Sequence, residues 1–248
     1  MKATIKPYVT QEELEKPRSP AQMLSWVECC LSRVCMAEDG KNALRFRKGN
    51  LKYLVEEAYP LGIFARHYFG EVENVQVSLK IGSQPYDASI FDHREKKGKF
   101  SFIEITQAHE GEDAHLRMIA LERFGYVSAL GKVEKHVDKR RYLSVEVESK
   151  AMSHSAILER EVSLIKEAIR RKSSKRYPNR TALVVVFDDY IAVRSSDDIA
   201  AIQRGIQDMV QQLCGFRWLS IVGWSTQTFI DFDISGDGAQ QEAKPGRG

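Results

Sequence analysis

The run T-A-L-V-V-V-F-D-D-Y, Thr181 to Tyr190, leaves this chain few folds to choose from. It is apolar without alternation and closes on two acids, the pattern of a strand covered on both faces. Such a strand belongs in the middle of a parallel or mixed sheet with helices on either side, so the chain is expected to be α/β with this strand central. The covering helices show in their apolar spacing. Ala21 to Ala37 aligns Met23, Leu24, Val27, Leu31 and Val34, and Ala156 to Lys172 aligns Leu158, Val162, Ile165 and Ile169. A third helix opens on Ser196, Asp197 and Asp198, carries Ile199, Ile202, Ile206, Met209, Val210 and Leu213, and closes at Gly215. Asn50 caps a helix with Leu51, Leu54, Val55 and Ala58 in one stripe, which Pro60 should kink or divide. Asp113 to Phe124 forms another helix, stopped by Gly125.

The remaining strands alternate. Val75 to Ile81 and Tyr86 to Phe91 flank G-S-Q-P; a two-residue turn at Gly82-Ser83 would pair Leu79 with Tyr86, Ser78 with Asp87 and Gln76 with Ser89. Polar side chains then share one face, Val75, Val77, Leu79, Ala88 and Ile90 take the other, and Lys80 sits diagonally from Asp87. The third strand, Lys99 to Ala108, contains F-S-F-I-E-I-T-Q-A and sends Phe102, Glu104 and Thr106 one way, Ile103 and Ile105 the other. Glu104 and Asp87 would thus face each other across adjacent strands. Two such carboxylates repel unless a cation or a proton lies between them, and hard oxygen ligands suit magnesium or manganese. Phe216 to Trp224 and Thr228 to Phe232 give the last strands. Residues 130–155 are polar apart from Tyr142 to Val147, which alternates like a strand, and are read as an insertion. The expected organisation is an N-terminal arm and helical extension over 1–49, an α/β core over 50–234 and a disordered tail over 235–248.

The triplet P-Y-D at Pro85 to Asp87, followed by I-E-I-T at Ile103 to Thr106 within the order helix, three strands, helix, strand, resembles the PD-(D/E)XK nuclease superfamily over roughly residues 50–190. The resemblance implies a restriction endonuclease-like fold, a mixed central sheet flanked by helices. It also implies magnesium or manganese held by Asp87 and Glu104, completed by an acid of the first core helix, Glu57 ahead of Glu56. The family places a lysine two residues after the second acid to position or activate water; this chain has Thr106 there. Threonine can hold a water but brings no charge. Lys80 is the preferred substitute; Gln107 points to the other face unless a bulge re-aims it. The implied function is metal-dependent phosphodiester hydrolysis of nucleic acid, DNA first, with Asp87, Glu104, Thr106 and Lys80 catalytic. Thr106 equally supports the alternative, a catalytically inactive member of the fold serving as a nucleic-acid-binding or assembly subunit.

The net charge of +3 is too small to indicate a polyanion partner, so the distribution of charge matters more. Arg94 to Lys99 carries four positive charges against one negative, and Lys132 to Arg176 thirteen against seven. Lys96, Lys97 and Lys99, beside the strand of Glu104, and Arg170, Arg171, Lys172, Lys175 and Arg176, at a helix end, are the expected phosphate contacts. His109 and His115 follow the third strand, where an imidazole could act as base or touch phosphate. No phosphate loop or dinucleotide glycine pattern is present, which ranks a small-molecule enzyme last. Four cysteines without a C-x-x-C pair read as buried free thiols. No apolar run approaches the roughly 20 residues that cross a bilayer, and the start lacks a secretory apolar segment, so a cytoplasmic protein is expected. A homo-oligomer or a partner protein is left open.

Overall fold

The computed structural model describes residues 8–128, 130–137 and 143–234. Pro7 of the arm, Tyr142 and the tail from Ser235 lie outside the described residues. The chain begins with α1 (Gln11–Glu15), α2 (Pro20–Met36), α3 (Gly40–Arg45) and α4 (Leu51–Tyr53), continued by a π-helical turn (Leu54–Ala58) into α5 (Tyr59–Phe69). Then come β1 (Val75–Leu79), β2 (Ala88–Asp92), β3 (Phe102–Ala108) and α6 (Glu112–Phe124). A hairpin of β4 (Val133–Val137) and β5 (Leu143–Val147) precedes α7 (His154–Ser173), β6 (Thr181–Phe187), α8 (Ser196–Gln211), β7 (Trp218–Gly223) and β8 (Phe229–Asp233).

Six strands form one mixed sheet in the order β1-β2-β3-β6-β7-β8. β3, β6 and β7 run parallel, while β1, β2 and β8 pair antiparallel with their neighbours. The apolar run of β6 lies between two parallel neighbours and is buried throughout. Its alternate residues feed two cores: Ala182, Val184 and Val186 pack with α2 and α5, and Leu183, Val185 and Phe187 with α7 and α8. That division explains the absence of alternation in its sequence. Local signals set the helix ends. Ser19 and Ser195 close capping boxes with Gln22 and Asp198, Pro20 starts α2, and Gly125 ends α6 in the left-handed conformation at φ 76°.

The connections decide where the helix ends fall. β3 reaches β6 by way of α6, the β4–β5 hairpin and α7, and α8 links β6 to β7. A helix joining two parallel strands must return to the end where the strands begin. The last turn of α7 therefore lies beside the starts of β3 and β6.

Three expectations are corrected. Leu79 faces Ala88, Ser78 faces Ser89, and the Lys80 N–H bonds the Asp87 carbonyl at 2.8 Å, two residues away from the expected hairpin register. The cause is Gln84, whose Nε2 donates to the carbonyls of Lys80 (2.5 Å) and Tyr86 (3.2 Å) and closes a wider loop than a two-residue turn. A slip of two keeps every side chain on its expected face, so Val75, Val77, Leu79, Ala88 and Ile90 are all buried. The insertion contains a second strand, β4, and its hairpin packs on α6 through Leu116, Ala120, Val133 and Val145. Of the four free cysteines only Cys30 is buried.

The arm is built into the body. Arg18 and Val77 exchange backbone hydrogen bonds of 3.0 and 2.8 Å along the edge of β1, and Val9 and Leu14 join the core of α2 and α5. Among the described residues no helix is long and apolar enough to cross a membrane.

Candidate active site

β2 pairs with β3 only where Ala88 and Ser89 meet Ile103 and Phe102, although β3 continues to Ala108. Asp87 stands where the two strands part. Its backbone N–H donates to the Ile103 carbonyl at 2.9 Å, and its Oδ2 accepts the Ile105 N–H at 2.7 Å. The carboxylate thus takes the place of the strand carbonyl that β2 no longer supplies. It is thereby held beside Glu104, the residue between its two partners. Glu104 is buried, with a side-chain exposure of 8%. Burial, followed by the Glu104 charge, pushes the Asp87 carboxyl up to about 6.

The third acid comes from the π-helical turn. Pro60 has no N–H to give the carbonyl of Glu56, four residues back. Gln107 of β3 takes over, donating from Nε2 to that carbonyl at 2.9 Å, while the Tyr59 N–H reaches back to Leu54. The helix is neither divided nor ended at Pro60; the extra residue of the turn absorbs the proline. Glu56 pairs with Arg47 at 3.6 Å, whereas Glu57 lies within the field of the strand acids. Its carboxyl is raised to about 8, by burial first, then by Asp87 and Glu56, with a smaller push from Glu104.

The ammonium that meets Glu104 comes from α7. Lys172 Nζ lies 2.5 Å from Glu104 Oε1, and the Tyr177 hydroxyl donates to the same oxygen at 3.4 Å. The Ile105 N–H, and after it the Lys172 and Lys175 charges, hold the Asp87 carboxyl lower than burial alone would leave it. Arg171 Nη2 donates to Thr106 Oγ1 and to the Gln107 carbonyl, both at 3.1 Å. Thr106 therefore anchors the end of α7. Lys80 shares the face of Asp87, but its ammonium lies 5.9 Å from the ring of Phe91, and Lys172 is the lysine that meets the carboxylates.

The other expected contacts are dispersed. Lys96 and Lys97 are exposed in the loop before β3, and Arg170, Lys175 and Arg176 are exposed around the end of α7. Lys99 is turned toward β7 and β8, pairing with Asp233 at 2.5 Å and lying 5.0 Å from the Trp218 ring. His109 Nδ1 accepts the Gly111 N–H at 2.8 Å, and His115 stands edge-on to Phe46; neither is among the groups that shift Asp87 or Glu57. From the sequence Lys172 is expected only as a phosphate contact at a helix end, and not as the partner of Glu104. The parallel crossover is the signal for its position: it returns the C-terminus of α7 to the first residues of β3, where Glu104 is third in the strand.

Among the described residues no three His, Cys, Asp or Glu side chains are grouped as a ready-made metal cage. Asp87 and Glu104 nevertheless form a hard oxygen pair of the kind that magnesium takes together with water and substrate phosphate. No family model, curated protein or solved structure matches this chain.

Proposed function

We propose that this chain is a metal-dependent phosphodiesterase of nucleic acid, DNA first, with the restriction endonuclease-like fold of the PD-(D/E)XK superfamily. The observation that carries the reading is the Lys172 ammonium on Glu104, next to the Asp87 carboxylate fixed by Ile105. Two acids and one lysine at the parting of two strands are the groups that hydrolysis of a phosphodiester in such a site requires. Magnesium or manganese held by Asp87 and Glu104, with Glu57 alongside, would polarise a phosphoryl oxygen and lower the pKa of a bound water. Lys172 stands in for the lysine absent at Thr106 and offsets negative charge developing on the phosphate. Arg171, bonded to Thr106, fixes the helix end that carries it. Exposed Lys175 and Arg176 contact neighbouring phosphates without reading sequence. Free thiols at Cys29, Cys35 and Cys214, all exposed, support a reducing, cytoplasmic setting.

A second reading, an inactive nucleic-acid-binding subunit of the same fold, is favoured by the engagement of both Thr106 and Glu104 by α7. The test is incubation with single-stranded and duplex DNA and RNA, with and without magnesium or manganese, beside Asp87→Asn, Glu104→Gln and Lys172→Met. The hydrolase gives metal-dependent cleavage that falls by about 100-fold or more in each variant. Equal background in all four proteins overturns it, and salt-sensitive binding without cleavage supports the second reading.

A further inference from the structure

At the starts of β3, β6 and β7, below the carboxylates, lies an open cavity of about 530 Å³ whose lining includes Lys99, Asn179, Arg180, Phe216 and Arg217. No acid lines it among the described residues. Lys99 is balanced by Asp233, but among the described residues no carboxylate pairs with Arg180 or Arg217. Two arginines without a carboxylate lining one cavity repel each other unless an anion joins them.

Arg180 is held there at a cost. Its backbone is left-handed, φ 67°, a conformation that a non-glycine residue keeps only when its surroundings enforce it. The enforcement is visible: its carbonyl accepts the N–H of Ser101 (2.8 Å) and of Phe102 (3.3 Å), and Nη2 donates to the Gly98 carbonyl at 2.5 Å. The guanidinium is thus positioned before any ligand arrives, which lowers the entropic cost of binding. A planar donor fork whose four further N–H groups are unbonded among the described residues suits a phosphate.

Two aromatic residues link the cavity to the carboxylate site. Phe216 lines it and packs on Tyr177 with ring centroids 4.6 Å apart, and the Tyr177 hydroxyl reaches Glu104 at 3.4 Å. Thr181 is level with Phe102, so Arg180 lies on the order of 10 Å from Glu104 along the strand direction.

We propose that this cavity is a phosphate-binding subsite, with Arg180 and Arg217 as its donors. That the phosphate belongs to a strand running on to the carboxylates rests on the function proposed above. Selectivity for phosphate does not, and a free phosphate would satisfy the same chemistry.

The test has two arms, each on the full chain and on Arg180→Gln, Arg217→Gln, Arg180→Lys and Arg204→Gln, the last an exposed arginine of α8. In the first arm, a fluorescent single-stranded oligonucleotide is titrated from about 50 to about 200 mM salt. Each glutamine variant should then lose one phosphate contact, lowering the slope of log affinity against log salt by about 0.7. Arg180→Lys should regain the slope, and Arg204→Gln should match the wild type. In the second arm, inorganic phosphate is titrated by calorimetry; binding lost in both glutamine variants, with oligonucleotide slopes unchanged, assigns the cavity to free phosphate. Unchanged slopes together with no phosphate binding, in variants that melt as the wild type does, overturn the subsite. Cleavage separates this from the wider reading. Metal-dependent cleavage with unchanged slopes in the arginine variants and no phosphate binding by the wild type removes the subsite alone, whereas a lowered slope without cleavage by any preparation removes the hydrolase alone.

Discussion

Lys172→Met should destabilise this protein far more than a lysine at a helix end normally would. Its ammonium lies 2.5 Å from Glu104 Oε1, and the two side chains are only 16% and 8% exposed. Removing the lysine leaves a buried carboxylate with a hydroxyl at 3.4 Å as its remaining donor and the Asp87 charge beside it. Breaking one side of such a pair costs about 3–5 kcal/mol, because the surviving buried charge has lost its counter-charge. The double variant Glu104→Gln/Lys172→Met leaves no charge behind and should lie within about 1 kcal/mol of the wild type. Urea denaturation at neutral pH, extrapolated to water for the wild type, both single variants and the double, gives the coupling directly. On the proposed function, magnesium should stabilise Lys172→Met more than the wild type, since a cation then replaces the missing ammonium. A single variant within about 0.5 kcal/mol of the wild type, or a double variant no more stable than Lys172→Met, would refute the buried pair as the organiser of the site.

Glu161 of α7 is 4% exposed, its Oε2 has no hydrogen-bond partner, and its carboxyl is pushed up to about 7 by burial, against the opposing pull of Arg160. A carboxyl raised on folding keeps its proton longer in the native state. Stability should therefore fall as pH rises from about 4.5 to about 7 and then level off, a loss of about 3 kcal/mol that Glu161→Gln should remove; parallel pH curves of the two proteins would contradict this. Gln107→Leu orphans the Glu56 carbonyl that Pro60 cannot serve, at about 1–3 kcal/mol, measurable by denaturation; an unchanged midpoint would mean that water replaces the amide. Gly223→Ala would drive a methyl into the Asp189 carboxylate. Asp189 ties Ser225 and Thr228 across the β7–β8 turn, so the substitution should cost about 3 kcal/mol, and a melting point equal to the wild type would show that Asp189 moves freely.

What could be read in the chain before its structure was what period and polarity encode. The run of β6 has no alternation because both of its faces are covered, and Glu104 and Asp87 share a face because strand side chains repeat every two residues. The hairpin register escaped because alternation is blind to a slip of two, and the loop is closed by a side chain, Gln84, that no turn rule names. Pro60 should kink or divide its helix; the helix is not divided, a π-helical turn precedes the proline, and the carbonyl it strands is served by Gln107, 51 residues away in sequence.

The position of the lysine escaped for a different reason. A motif read along the chain looks for a charge two residues after Glu104, but an ion pair depends on where the charge sits in space and not on which residue brings it. The parallel pairing of β3 and β6 returns α7 to the start of β3, and the helix delivers Lys172 there. Thr106 then acquires a different task, since its hydroxyl accepts Arg171 and pins the final turn from which Lys172 projects. On the proposed function, Thr106 at the position where the family has lysine and Lys172 against Glu104 are parts of one arrangement. A lysine at position 106 would place a second cation against Arg171, in the space that the end of α7 now fills.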